Sequence, residues 1–295
     1  MATPCILHSA ATRANAGNPE TCLGMYQAPA PIVKPAWQRN AIAVSLSDTR
    51  PKIAVVMDDM GATRPSMDRV IGLPGPLTLS WFPFASQLPA KVAAASRRDH
   101  EAILHMPMQS YSNSIAQTGP NSLRVDLPDA VNLELLQNAL DAVPNIVGMN
   151  NHMGSVATRA VPLMDIVATA LRLRGMLFLD SVTVAHSVAL ARAEFGGVLA
   201  ASRDVFIDPV PVPAVIQRQL AEVEATSLRQ GYAIAIGHPH ACTIDALEAW
   251  LPSLAKKGFA LWPLSATVAL RNHIDLTSTP ADLIQSSASQ GTASR

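Results

Sequence analysis

A chain of 295 residues with 49% hydrophobic and 15% charged side chains can build a sizeable core in one large domain or two small ones, which excludes overall disorder. Twenty-two basic residues balance 22 acidic ones and no basic block stands out, so nucleic acid is excluded as the expected partner. Aromatic residues are only 4% of the chain, leaving no obvious sugar-stacking groove, and no run of about 18 apolar residues predicts a transmembrane helix.

Residues 1–50 are rich in Ala, Pro, Asn and Thr, with Ala28-Pro29-Ala30-Pro31 in the middle. This is linker composition, and little regular structure is expected before Lys52. Met1 to Ala10 carries the short apolar patch Cys5-Ile6-Leu7 but no basic n-region, so it makes a poor signal peptide and leaves a cytoplasmic location open. The three cysteines, Cys5, Cys22 and Cys242, lack metal-type spacing. Cys5 and Cys22 could pair in an oxidising compartment, and the redox compartment is undecided.

From Lys52 the pattern alternates. Strand-like runs fall at 52–57, 77–82, 101–105, 146–149, 176–180, 204–207, 232–236 and 259–262. Runs at 88–98, 133–143, 162–174, 185–195, 212–229 and 244–257 have apolar residues three and four apart, as helices do. Gly175, Gly231 and Gly258 each stand between a helix-like run and a strand-like one, as glycines closing helices do. Repeated βα units predict a mostly parallel sheet wrapped by helices. A closed or nearly closed barrel of about seven or eight strands is the first choice, and an open doubly wound sheet the second. The long 105–131 connection, with Tyr111, Asn113, Gly119, Pro120 and Asn121, reads as an ordered functional loop. Residues 276–295 read as a loose tail.

The chemistry collects at the C-terminal ends of the strand-like runs. Ile53-Ala54-Val55-Val56-Met57 runs straight into Asp58-Asp59-Met60-Gly61. One Asp can cap a following helix, but two adjacent carboxylates repel unless a cation or proton shares the site. His105, Asn150-Asn151-His152-Met153-Gly154-Ser155, Asp180 and Gly237-His238-Pro239 occupy corresponding ends, which share one face in a βα barrel. Carboxylate plus imidazole suits a divalent metal such as zinc, with an open position for water. A second carboxylate could take that water's proton, and a further His could protonate a leaving group. Asp180 reads equally as a cap for the next helix or as a group steering a site residue. G-x-S-x-G, P-loop, G-x-G-x-x-G and H-E-x-x-H motifs are absent, and Ser155 beside His152 does not by itself make a triad.

The ordered set Val56-Met57-Asp58-Asp59-Met60-Gly61, His105-Met106-Pro107-Met108, Gly148-Met149-Asn150-Asn151-His152-Met153-Gly154-Ser155, Phe178-Leu179-Asp180-Ser181-Val182-Thr183, Arg203-Asp204-Val205-Phe206-Ile207-Asp208 and Ala235-Ile236-Gly237-His238-Pro239 resembles the divergent polysaccharide deacetylase family of bacterial envelope-associated proteins. The resemblance covers about residues 51–271, the expected folded domain of 51–275. It implies a distorted (β/α) barrel of the polysaccharide deacetylase type and an N-acylated carbohydrate substrate in the periplasm or envelope. By the same resemblance Asp58 is the catalytic base and Asp59 a ligand to a divalent metal, zinc being the ion expected. The H-x-x-x-H pair usual in the wider superfamily is absent, and His105 and His152 take its place as ligands. His238 resembles the late strand-end general acid, with Asp180, Asn151, Ser155 and Asp208 in support. Two positions depart from the family pattern: Gln109 stands where an acid is expected, and Val156-Ala157-Thr158 where a basic residue is. A catalytically weak or inactive sugar-binding protein on the same fold is the alternative.

Overall fold

The interior of this protein follows from alternation along its strands. In the computed structural model, which describes residues 34–62, 64–112 and 118–276, β1 (Lys52–Met60) is buried at every position except Asp59. Successive side chains of a strand point to opposite faces. Ala54 and Val56 therefore pack in one cluster with Ile103, Leu177, Leu179, Ala201, Ile234 and Ile236 from other strands. Ile53, Val55 and Met57 join a second cluster, with residues of the surrounding helices such as Leu136, Leu171 and Val223. The first cluster is the inside of a barrel and the second is the layer between barrel and helices.

The strands after β1 are β2 (Thr78–Trp81), β3 (Glu101–Met108), β4 (Gly148–Met153), β5 (Leu177–Asp180), β6 (Ala200–Ser202), β7 (Val205–Phe206), β8 (Tyr232–Gly237) and β9 (Ala260–Leu261). Their order is β6-β5-β4-β3-β2-β1-β8-β7, all pairs parallel, with β9 alongside the N-terminal end of β1. The two edges of this order meet in one stretch of chain. Only Arg203 and Asp204 separate β6 from β7; Arg203 N donates to Asp180 O on one side, and Asp204 N to Ile234 O on the other. The result is the distorted (β/α) barrel expected from the sequence.

The helices are α1 (Ala36–Arg39), α2 (Arg64–Gly72), α3 (Leu88–Ser96), α4 (Asp129–Ala142), α5 (Val161–Arg174), α6 (Ala189–Phe195), α7 (Pro213–Gln230), α8 (Ala241–Trp250) and α9 (Leu264–Arg271). Prolines in the first turns of α5 and α7 fit positions whose N–H has no helical acceptor, and Gly175 and Gly231 end these helices in left-handed conformation. Leu264, Val268 and Ala269 of α9, with Trp37 of α1, join the inner cluster at the N-terminal end of the barrel.

Several sequence expectations are corrected here. The linker reading of residues 1–50 fails for the part that is described: α1 lies there, Ala36 and Trp37 are buried, Trp37 N donates to Gly175 O, and Asn40 Nδ2 donates to Ile146 O. Tertiary packing orders a segment whose composition alone would not. Residues 1–33 and 277–295, and with them Cys5, Cys22 and nearly all of the expected tail, lie outside the described residues. The helix expected at 185–195 begins only at Ala189, because Asp180 and Ser187 organise the turn before it. The helix expected at 244–257 tightens to a 3₁₀ turn, Leu251–Ser253, around Pro252. Strand β6 and helices α2 and α9 were not expected. No helix among the described residues is long and apolar enough to cross a membrane.

Candidate metal centre and active site

The same alternation that builds the core builds the site. The inward positions of β1 are 54 and 56, and the next is Asp58. On β3 they run from Glu101 through Ile103 to His105, on β4 from Gly148 through Asn150 to His152, and on β8 from Ile234 through Ile236 to His238. The first side chains past the apolar interior are thus the titratable ones, on one end of the barrel.

Asp59 breaks the alternation. The pairing of β1 with β2 shifts register between Met57 and Met60, and Asp59 has φ of 57°. Such a bulge re-aims a side chain that would otherwise face the helices. Gly61 ends it with φ of 99°, and a Cβ there would sit 2.3 Å from Ala85 Cβ, so only glycine fits.

Asp59 Oδ1, His105 Nε2 and His152 Nδ1 form a near-equilateral triangle. The carboxylate oxygen lies 3.2 Å from each ring nitrogen, and the two nitrogens are 3.1 Å apart. Two ligands about 2.0–2.1 Å from an ion at the tetrahedral angle lie about 3.3–3.4 Å apart. The observed edges are close to that spacing. Asp59 Oδ1 is buried and has no properly aligned hydrogen-bond partner, the state of an acceptor whose natural partner is a cation. Burial alone would raise the pKa of Asp59, but His105 and His152 reverse this and hold it far below the ordinary carboxylate range. His105 is shifted upward: the carboxylates of Asp58 and Asp59 outweigh the burial that disfavours its charged form. Positive charge is favoured at the centre of the triangle, and these three residues fit a divalent metal. They are the one group of His, Cys, Asp and Glu among the described residues with donor atoms close enough to share an ion.

Beside the triangle lies Asp58, almost fully buried, 3.7 Å from His105 Nδ1. Its Oδ1 accepts from Asn150 Nδ2 at 2.8 Å. On the β8 side, His238 Nδ1 donates to Asp208 Oδ1 at 2.9 Å, while Asp208 Oδ2 accepts from His238 N and Thr243 Oγ1. Burial disfavours the His238 cation, but the Asp208 hydrogen bond and the charges of Asp58, Asp208 and Asp59 raise its pKa to about 9. Its Nδ1 is committed to Asp208, so Nε2 is the nitrogen left to exchange a proton with a substrate.

A family model described as divergent polysaccharide deacetylase matches residues 55–268, from the first strand to the last helix of this barrel. The chain belongs to that family. An uncharacterized protein of Haemophilus influenzae is 34% identical over 215 residues, 73% of this chain and 76% of that one. The uncharacterized protein YibQ of Escherichia coli K12 is 32% identical over 197 residues, 67% of this chain but only 61% of that longer protein. The crystal structure of an uncharacterized protein from Agrobacterium tumefaciens C58 shares the fold, with TM-score 0.76 at 24% identity over 79% of this chain and 94% of that one.

The remaining expected site residues fall elsewhere. Asp180 is on the outward parity of β5, and its oxygens accept from Val182 N and Ser187 Oγ, so it organises the turn into α6. Asn151, outward on β4, accepts from Ser181 N and donates to Met153 O. Ser155 Oγ accepts from Tyr111 N and ties down the rim. Gln109, where an acid was expected, accepts from Val125 N through its side-chain carbonyl. Arg159, displaced from the expected basic position, donates to Tyr111 OH.

Four residues near the site were not singled out from the sequence. Phe82 packs against both imidazoles, with ring centroids 5.0 Å from His105 and 4.8 Å from His152, and stacks on the exposed Phe84. Ser181 is the next inward position after Leu179, and its buried Oγ has no partner among the described residues. Asn150 bridges Asp58 and His105. Arg203 lies over Phe206 and donates to Ser181 O and Val182 O. Burial pulls its pKa down, while the carboxylates of Asp58, Asp180 and Asp204 push it up. Counting two residues back from His152 would have found Asn150; Ser181 and Phe82 emerge only once the inward rows of β5 and β2 are known, and Arg203 carries no such signal.

Proposed function

We propose that this protein is a metal-dependent hydrolase that removes an acyl group, most simply acetyl, from an N-acylated carbohydrate of the bacterial envelope. The observation that carries this reading is the triangle of Asp59 Oδ1, His105 Nε2 and His152 Nδ1, flanked by Asp58 and by the His238–Asp208 pair, in a chain of the divergent polysaccharide deacetylase family. A metal held by those three residues would supply a water of near-neutral pKa and polarise the acyl carbonyl.

The protein's own groups then divide the proton work. Asp58, held through Oδ1 by Asn150, accepts a proton from the attacking water. His238, protonated at neutral pH and fixed through Nδ1, delivers a proton from Nε2 to the departing amine. Phe82 shields the two imidazoles on one side, and Phe84 and Tyr111 offer exposed rings on the rim for a sugar face. The family resemblance is what supports an envelope location.

Turnover of N-acetylated oligosaccharides by the zinc-loaded full chain, compared with Asp58→Asn, tests this reading. Release of acetate that disappears in the variant while zinc is retained supports hydrolysis. A second reading, a sugar-binding protein without turnover, is favoured by the rim, where Gln109 replaces an acid. Oligosaccharide binding with no acetate release from either protein would select it.

A further inference from the structure

We propose that Asn150 is a positioning residue that selects the tautomer of His105 and so turns Nε2, unprotonated, toward the metal. This inference rests on the metal-site reading above. Asn150 is registered opposite His105 across the β3–β4 pairing, and both side chains face inward. Its Oδ1 takes two short hydrogen bonds, from Ser80 Oγ at 2.6 Å and from His105 Nδ1 at 2.7 Å. Its Nδ2 donates to Asp58 Oδ1 at 2.8 Å. All four residues are buried, with Asn150 and Ser80 showing no exposure.

The amide orientation is determined by its neighbours. With oxygen and nitrogen exchanged, the carbonyl would face a carboxylate oxygen with no proton between them. The NH₂ would in turn face His105 Nδ1. Asp58, an acceptor only, thus sets the amide, and the amide sets the ring. An acceptor at Nδ1 requires Nδ1–H, which leaves the Nε2 lone pair facing Asp59 Oδ1 and His152 Nδ1. Partners of this kind on a ligand's other nitrogen raise metal affinity by about 10- to 100-fold. The arrangement also explains why the strand carries Asn150-Asn151 in tandem: the outward Asn151 serves the turn, and the inward Asn150 serves the ring.

The test uses the full chain and zinc as the probe. Long-range ¹H–¹⁵N spectra of the metal-free protein, at a pH where the imidazoles are neutral, report which nitrogen of His105 carries the proton. Chelator competition measures zinc affinity. Wild type is expected to show Nδ1–H. Asn150→Asp, which keeps an acceptor toward His105 Nδ1 but sets its second oxygen against Asp58 Oδ1, is expected to retain this tautomer with one proton shared between the two carboxyl groups. Asn150→Leu, which offers none, is expected to lose the single tautomer and to bind zinc about 10- to 100-fold more weakly. Nε2–H in the wild type, or a leucine variant with wild-type zinc affinity, would overturn the inference. The wild-type spectrum decides alone if the leucine variant fails to fold. Wild type that shows Nδ1–H yet binds no zinc would sink the hydrolase reading and leave the relay from Asp58 to His105 intact.

Discussion

The two ends of the barrel bury carboxylates in opposite ways. At the N-terminal end, Glu101 on β3 is fully enclosed and its oxygens are met by Thr78 Oγ1, Ser265 N and Ser265 Oγ. Four residues further along the same inward row stands His105, and the carboxylate it faces, Asp59, has an oxygen with no aligned donor. A buried polar group whose hydrogen bonds the protein itself completes is serving the fold; one left without an aligned donor suits a ligand from outside. Glu101 fastens β2, β3 and the start of α9 together. Asp59, His105 and His152 converge at a bulge that stability alone would not require.

This contrast can be broken by mutation at either end. The largest effect belongs to the metal triangle: Asp59→Ala or His152→Ala should abolish zinc binding and lower turnover by about a thousandfold or more. Neither variant should unfold the metal-free protein, although each loses the contacts between Asp59 and the two imidazoles. Elemental analysis and thermal melts check both halves. Next, Asp58→Asn should reduce kcat by about 10²- to 10⁴-fold, the range for loss of a general base, with zinc still bound. At the other end, Glu101→Ala should leave zinc affinity unchanged but destabilise the fold by about 2–4 kcal/mol, because the buried donors on Ser265 and Thr78 lose their acceptor. Denaturant titration measures this, and a loss of zinc affinity instead would erase the distinction between the two ends.

Two smaller effects depend on pH. The His238 pKa of about 9 places the alkaline limb of turnover near that value. Asp208→Asn removes the carboxylate bonded to Nδ1, so the limb should move down by about one unit or more, equivalent to about 1.4 kcal/mol. A pH–rate profile with an unmoved limb would remove His238 from the proton transfer. For Glu101, burial raises the pKa to about 7 from an ordinary 4.5. The unfolded chain therefore releases its proton at lower pH than the folded one. This group's stabilisation is complete below about 4.5 and is lost as pH rises through about 7. Glu101→Gln should flatten the dependence of stability on pH across that window.

Much of the barrel is legible in the sequence because its inner and outer faces are both apolar. Buried parallel strands read as continuous hydrophobic runs, and helices with apolar residues three and four apart fall between them. What escaped detection was held by context. Ala200–Ser202 has no β-branched residue and is a strand only because β5 pairs with it. α1 has only four residues and is held by the buried Trp37. At the site, the strand-end positions of Asp58, Asp59, His105, His152 and His238 were readable, but strand-end location does not say which side a residue faces. Asp180 and Asn151 lie one residue off the inward row, whereas Asn150 and Ser181 lie on it. Asp59 could not be placed by counting at all, since it reaches the site through a bulge with φ of 57°.

Metal content of the purified full chain, measured by elemental mass spectrometry after reconstitution with zinc and beside Asp59→Ala and His152→Ala, tests the central claim most directly. About one ion per chain in the wild type and none in either variant is the expected result. A wild-type protein that holds no metal, or variants that hold as much as the wild type, would contradict a metal centre built from Asp59, His105 and His152.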